Sequence, residues 1–107
     1  MVIYNVTVAI DVDVEADWKK WMEDVHIPDV LATGYFQQAS IFQQMEPASE
    51  EGRSTYQIRY TCRTMEDLLA YQSNSAAALQ ADHTQRYEGR FSASRTILKA
   101  SRSWKKA

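Results

Sequence analysis

Val2-Ile3-Tyr4-Asn5-Val6-Thr7-Val8-Ala9-Ile10 alternates two kinds of side chain. Val2, Tyr4, Val6, Val8 and Ile10 share one parity, while Ile3, Asn5, Thr7 and Ala9 share the other. A run dense in β-branched and aromatic residues with period two is a strand. The first parity faces a greasy layer, and the second faces something smaller and partly polar.

The rest of the fold follows outward from this strand. Asp13 can cap a helix with Glu15 and Asp17 in its first turn, where the positive end of the helix dipole favours acids. Val14, Trp18, Trp21, Met22 and Val25 recur at helical spacing and make its apolar stripe. Pro28 has no amide proton and disfavours helical dihedrals at Ile27, so it is expected to end or kink this helix and open a short further turn that Gly34 closes. Tyr35 to Met45 alternates again, the polar segment Glu46 to Gly52 is a loop, and Ser54 to Cys62 is a third strand with Tyr56, Ile58, Tyr60 and Cys62 on one face. Thr64 caps a second helix whose inward residues are Leu68, Leu69, Gln72, Ala76, Leu79, His83 and Tyr87. Ser73-Asn74-Ser75 weakens its middle, so a break with Ser75 recapping the second half is expected. Gly89 ends it, and Phe91 to Trp104 is the last strand. The order β-α-β-β-α-β is the ferredoxin-like split βαβ arrangement: an α+β fold with a four-stranded antiparallel sheet and both helices on one face. Ile3, Ala9, Tyr35, Ile41 and Met45, or their opposite-parity partners, leave apolar area on the face without helices. An isologous homodimer is the economical cover for it.

Composition supports one globular unit. At 107 residues the chain fits a single domain over 1–107, and 45% hydrophobic with 24% charged residues suits a packed core rather than a disordered segment. No apolar run approaches a spanning helix, and the Met1 to Asn5 segment lacks the character of a signal peptide, so no membrane role and a cytoplasmic location are expected. The single Cys62 excludes an internal disulfide and a cysteine-rich metal site. Residues 1–51 carry ten acids against two bases, and residues 86–107 carry seven bases against Glu88 alone. The basic stretch follows strand-like spacing without the stacking aromatics of a groove binder, so no nucleic acid is expected as partner. No Walker motif, Ser-His-Asp arrangement or glycine-rich phosphate loop is present.

Several segments together carry a likeness: Ile3 to Val8, the run Trp18 to Phe36, Tyr60-Thr61-Cys62, Ala77 to His83, and Arg86-Tyr87. They resemble domain-of-unknown-function family 4286 over nearly the whole chain. More widely, Trp21 followed by His26-Ile27-Pro28 and Thr33-Gly34 is similar to the dimeric α+β barrel superfamily. That group includes cofactorless monooxygenases, muconolactone-type isomerases, haem-degrading enzymes, EthD-like proteins and stress-response members. The resemblance implies a ferredoxin-like protomer pairing sheet to sheet with a second copy, and it leaves function to the site.

His26 is the candidate acid or base. It stands where the first helix is expected to stop, its near-neutral pKa suits proton transfer, and EthD-like relatives place a histidine followed by proline there. The bland account is an electrostatic helix cap. His83 lies on the apolar face of the second helix. Haem-degrading relatives pair a helix-two histidine with a first-strand asparagine, a place Asn5 could occupy, but this chain departs from them in the first half of helix two, where no tryptophan precedes His83. No cofactor is expected, haem being the alternative, and a satisfied core imidazole is the bland account. With His26 ending one helix and His83 late in the other, about 20 Å should separate them, so no shared metal is expected. Arg59 and Arg95, if turned inward, need an anion from a ligand or a partner chain. Trp18, Trp21, Tyr56 and Tyr60 belong to the core. The resulting expectation is a cavity for a small, partly apolar molecule, with His26 catalytic and Asn5, Gln57, Arg59 and His83 as ligand contacts. It leaves open monooxygenase- or isomerase-like chemistry, or a non-catalytic interaction module.

Overall fold

The structure, a computed structural model, describes residues 1–107. Four strands, β1 (Val2–Asp11), β2 (Gln38–Gln43), β3 (Arg53–Cys62) and β4 (Phe91–Lys99), form one antiparallel sheet in the order β2-β3-β1-β4. Between β1 and β2 run α1 (Glu15–Trp21), a π-helical turn (Met22–His26) and α2 (Ile27–Ala32), joined end to end. Between β3 and β4 run α3 (Met65–Asn74) and α4 (Ala76–Tyr87). This is the α+β, ferredoxin-like arrangement expected from the pattern. No helix is long and apolar enough to cross a membrane.

Parity sets the layers. Val2, Tyr4, Val8 and Ile10 of β1 and Tyr56, Ile58, Tyr60 and Cys62 of β3 are buried beneath the helices, which contribute Trp18, Met22, Val30, Leu68 and Tyr71. Each large side chain sealed there contributes roughly 1.5–3 kcal/mol over exposure. Thr64 caps α3 as expected, its Oγ1 accepting from the Asp67 amide at 3.1 Å. Gly34, at φ +86°, takes the left-handed turn that follows α2.

Five details differ from the expectation. Pro28 stands in the first turn of α2, the short further helix that Gly34 closes, as expected, but the chain stays helical through the residues before it. The π-turn before it closes on the Ile27 amide donating to the Met22 carbonyl, and this wider turn accommodates a ring that would crowd the preceding α-turn. Asp13 does not cap α1: its carboxylate pairs with Arg90, and Val14 holds the cap position without a side-chain bond. Ser75 breaks the second helical segment at φ −132°, but its side chain caps nothing. β2 is shorter than expected because Phe36 turns into the core beside Tyr71 at 4.8 Å between ring centroids, and Tyr35 accepts a hydrogen bond from Asn74. β4 ends at Lys99, and residues 100–107 continue without regular structure.

The face away from the helices is more polar than expected. Asn5 lies between Arg59 and Thr96, and Thr7 between Gln57 and Ser94. Ile41 pairs with the buried Ile58 and so belongs to the helix side. The apolar residues of the open face are Ile3, Ala9, Phe42 and Leu98, with Phe42 51% and Leu98 40% exposed.

Candidate functional site

His26 and His83 meet. Because the helical segment runs on through the π-turn to Ala32, His26 sits in its middle rather than at its end, and the two imidazole centroids are 5.8 Å apart. The expected separation of about 20 Å from rise per residue is thereby corrected. His26 stacks on Trp21 at 5.1 Å and 29°, and His83 is packed edge-on against Phe91 at 4.4 Å. The Trp18 indole Nε1–H donates to His83 Nε2 at 2.9 Å inside the core. That bond assigns the proton of the neutral ring to Nδ1.

Both imidazoles are held neutral. Burial pushes His26 below its ordinary value, against the pull of Asp29 and Asp82. Burial pushes His83 down to about 4, helped by the positive charge that His26 would carry and by the Arg95 guanidinium. The phenol of Tyr71 is pushed up to about 12 and that of Tyr60 further up, first by burial, so both keep their protons at neutral pH.

These groups border a cavity between sheet and helices. Its floor is Tyr4, Val6, Val8, Ile58 and Tyr60, and its roof includes Met22, His26, Val30, Tyr71, Leu79 and His83. Room for water inside it amounts to about 50 Å³, and all the space between atoms, out to its open mouth, to about 530 Å³. On its β4 side the cavity is lined by Phe91, Ala93 and Arg95; β4 is an edge strand in which only Phe91 is partly buried, so the cavity is open to solvent there.

The sheet divides the expected site residues. His26 and His83 border the cavity, whereas Asn5, Gln57 and Arg59 stand on the opposite face. There Asn5 donates to Gln57 at 3.4 Å, Gln57 donates to Gln44 at 2.9 Å, and the Arg59 guanidinium lies over the Phe42 ring at 5.5 Å. Asn5 Oδ1 is buried with no donor. One small molecule cannot touch both sets in one chain. Of the two arginines singled out, Arg95 borders the cavity and Arg59 does not. Sequence reading missed Gln80 and Thr84, which line the cavity beside His83; polar residues one turn apart on an apolar helix face were the available signal. It also gave Leu69 and Gln72 to the core, where Tyr71 sits instead.

The His83–Asn5 pair expected for haem is not assembled. His83 Nε2 already accepts from Trp18, Nδ1 bears the proton, and Asn5 is across the sheet. No group of three or more His, Cys, Asp or Glu side chains is arranged to hold a metal ion.

A family model described as Domain of unknown function (DUF4286) matches residues 1–101. The chain belongs to the DUF4286 family. No functionally curated protein matches its sequence. Among solved structures, SnoaB, a cofactor-independent oxygenase from Streptomyces nogalater, is 7% identical, with 95% of each chain covered and a TM-score of 0.66. A variant of MhuD with two manganese protoporphyrin IX groups bound per active site is 16% identical, covering 99% of this chain and 100% of that one at a TM-score of 0.69. A dimeric ferredoxin-like protein from an uncultured marine organism is 7% identical, covering 99% and 100% at 0.67. The DUF4286 chain therefore has the fold of the ferredoxin-like dimeric α+β barrels. That fold accommodates both a cofactor-independent oxygenase and a porphyrin-binding protein, so it does not by itself select a cofactor.

Proposed function

We propose that this DUF4286 protein binds a small, partly apolar molecule in the cavity between sheet and helices, and that His26 acts on it as proton acceptor without a cofactor. The observation that carries this reading is the pair of neutral imidazoles bordering one aromatic-lined cavity. A neutral imidazole with a free lone pair accepts a proton, and His26 is the candidate because His83 Nε2 is already engaged. Removing a proton from an activated carbon leaves a conjugated carbanion. Returning the proton at another carbon is isomerisation; reaction with dioxygen converts an activated CH2 to a carbonyl and releases water. The likeness to a cofactor-independent oxygenase supports the second route.

The same proposal includes a homodimer in which two open sheet faces pack together. Ile3, Phe42 and Leu98 supply the apolar area, and a second copy can supply the donor that the buried Asn5 Oδ1 lacks. Asn5, Gln57 and Arg59 then serve the interface rather than the cavity.

Anthrone is a suitable probe, since its CH2 is acidified by the flanking rings and carbonyl and its oxidation by dioxygen gives anthraquinone and water. Wild-type protein should accelerate anthrone-dependent oxygen uptake over buffer, and His26→Gln should lose the acceleration while keeping the wild-type circular dichroism. The small size of the cavity, with room inside for about 50 Å³, favours a second reading, a non-catalytic module whose cavity is a packing remainder. A protein that neither binds anthrone nor accelerates its oxidation would favour that second reading, and binding without acceleration would keep the cavity as a binding site while removing His26 as its proton acceptor.

A further inference from the structure

Arg95 differs from the other arginines near the helix layer. It lies opposite Val6 in the β1–β4 register, on the same face as Tyr4 and Val8, and borders the cavity. Among the sixteen residues lining that cavity it alone carries a permanent charge. Arg53 and Arg90 pair with Asp11, Arg90 also with Asp13, and Arg86 with Asp17, but Arg95 takes part in no ion pair. On the edge strand Arg95 is exposed to solvent, so its charge needs no partner within the protein. The imidazoles and phenols behind it are uncharged at neutral pH. The cavity thus presents apolar and aromatic walls, neutral polar groups, and a single cation at its solvent-exposed edge.

We propose that Arg95 is the specificity-determining residue of the cavity and that it selects a flat, conjugated molecule carrying one acidic group. The apolar body lies between the sheet floor and the helix roof, while the carboxylate or enolate oxygen meets the guanidinium fork at the solvent-exposed edge. Neutral analogues lack that contact, and dianions bring a second charge for which no cation is available. This inference rests on the cavity being a binding site, as proposed above.

1-Naphthoate and its uncharged counterpart 1-naphthalenemethanol test it, with binding to the full chain followed by tryptophan fluorescence and calorimetry. Wild-type protein should bind naphthoate at least tenfold more tightly than the alcohol, and the preference should shrink as salt is raised. Arg95→Gln should abolish the preference by weakening naphthoate binding at least tenfold, while Arg95→Lys should retain part of it. Equal affinities in wild type, or a preference that survives Arg95→Gln, would overturn the role of Arg95 and leave the cavity as a binding site. If the folded protein binds neither probe, the binding-site reading fails and this inference with it.

Discussion

His83 is kept neutral by burial, and the Trp18 indole fixes which nitrogen carries its proton. Its pKa is about 4 in the folded chain against an ordinary 6.5, so between these values the unfolded chain takes up a proton that the folded chain refuses. The sign follows: this contribution to stability is complete above 6.5 and is lost as pH falls toward 4. His26, also lowered, adds in the same direction. The melting temperature should fall on acidification through this window, and His83→Gln, which still offers an acceptor to Trp18 but does not titrate, should flatten the slope. His83→Leu leaves the indole N–H without an acceptor and should cost about 1–3 kcal/mol in denaturant titration. Cys62 is the other residue whose surroundings decide its chemistry. Burial pushes its thiol up, and its Sγ faces the Val2 and Thr64 carbonyls. A disulfide reagent such as dithionitrobenzoate should leave it unmodified in the native protein at pH 7 and label it fully in denaturant.

At the scale of elements, the π-turn sets the site. Trp18, Met22, His26 and Val30 are four residues apart, a row that drifts by about 40° per step in a regular α-helix at 3.6 residues per turn. One wider turn takes up part of that drift and keeps His26 and Val30 inward while Val25 turns out to solvent. The apolar stripe read from α-helical spacing correctly included Trp18 and Met22 and wrongly included Val25, because residue spacing contains no sign of where an extra residue enters a turn. Val30→Ala should cost about 2 kcal/mol through two lost methyls and the space they leave, and Val25→Lys should stay within about 0.5 kcal/mol, both by urea denaturation. The Thr64 cap was legible because its chemistry is local. The fate of Asp13 was not, since Arg90, which claims its carboxylate, lies 77 residues away.

For the whole molecule, the four-stranded sheet is a partition. One side holds the cavity and both histidines, and the other holds Asn5, Gln57 and Arg59 in a surface that is polar except at Ile3, Ala9, Phe42 and Leu98. If that surface pairs two copies, sedimentation equilibrium at micromolar concentration should give a dimer, and Phe42→Asp combined with Leu98→Asp should give a folded monomer. A wild-type monomer at that concentration would remove the homodimer from the proposal while leaving the cavity, which one chain forms by itself, untouched.

The sequence by itself determined the order of strands and helices, the fold class and the inward face of β1 and β3, because side-chain period is fixed by backbone geometry over a few residues. Which polar side chains meet was decided only by the tertiary structure. The juxtaposition of His26 with His83 depends on one widened helical turn and on how two helical segments lie across the sheet. The separation of both from Asn5 depends on strand parity relative to the helices, and no spacing along the chain expresses a relation between residues that only the packed sheet brings into register.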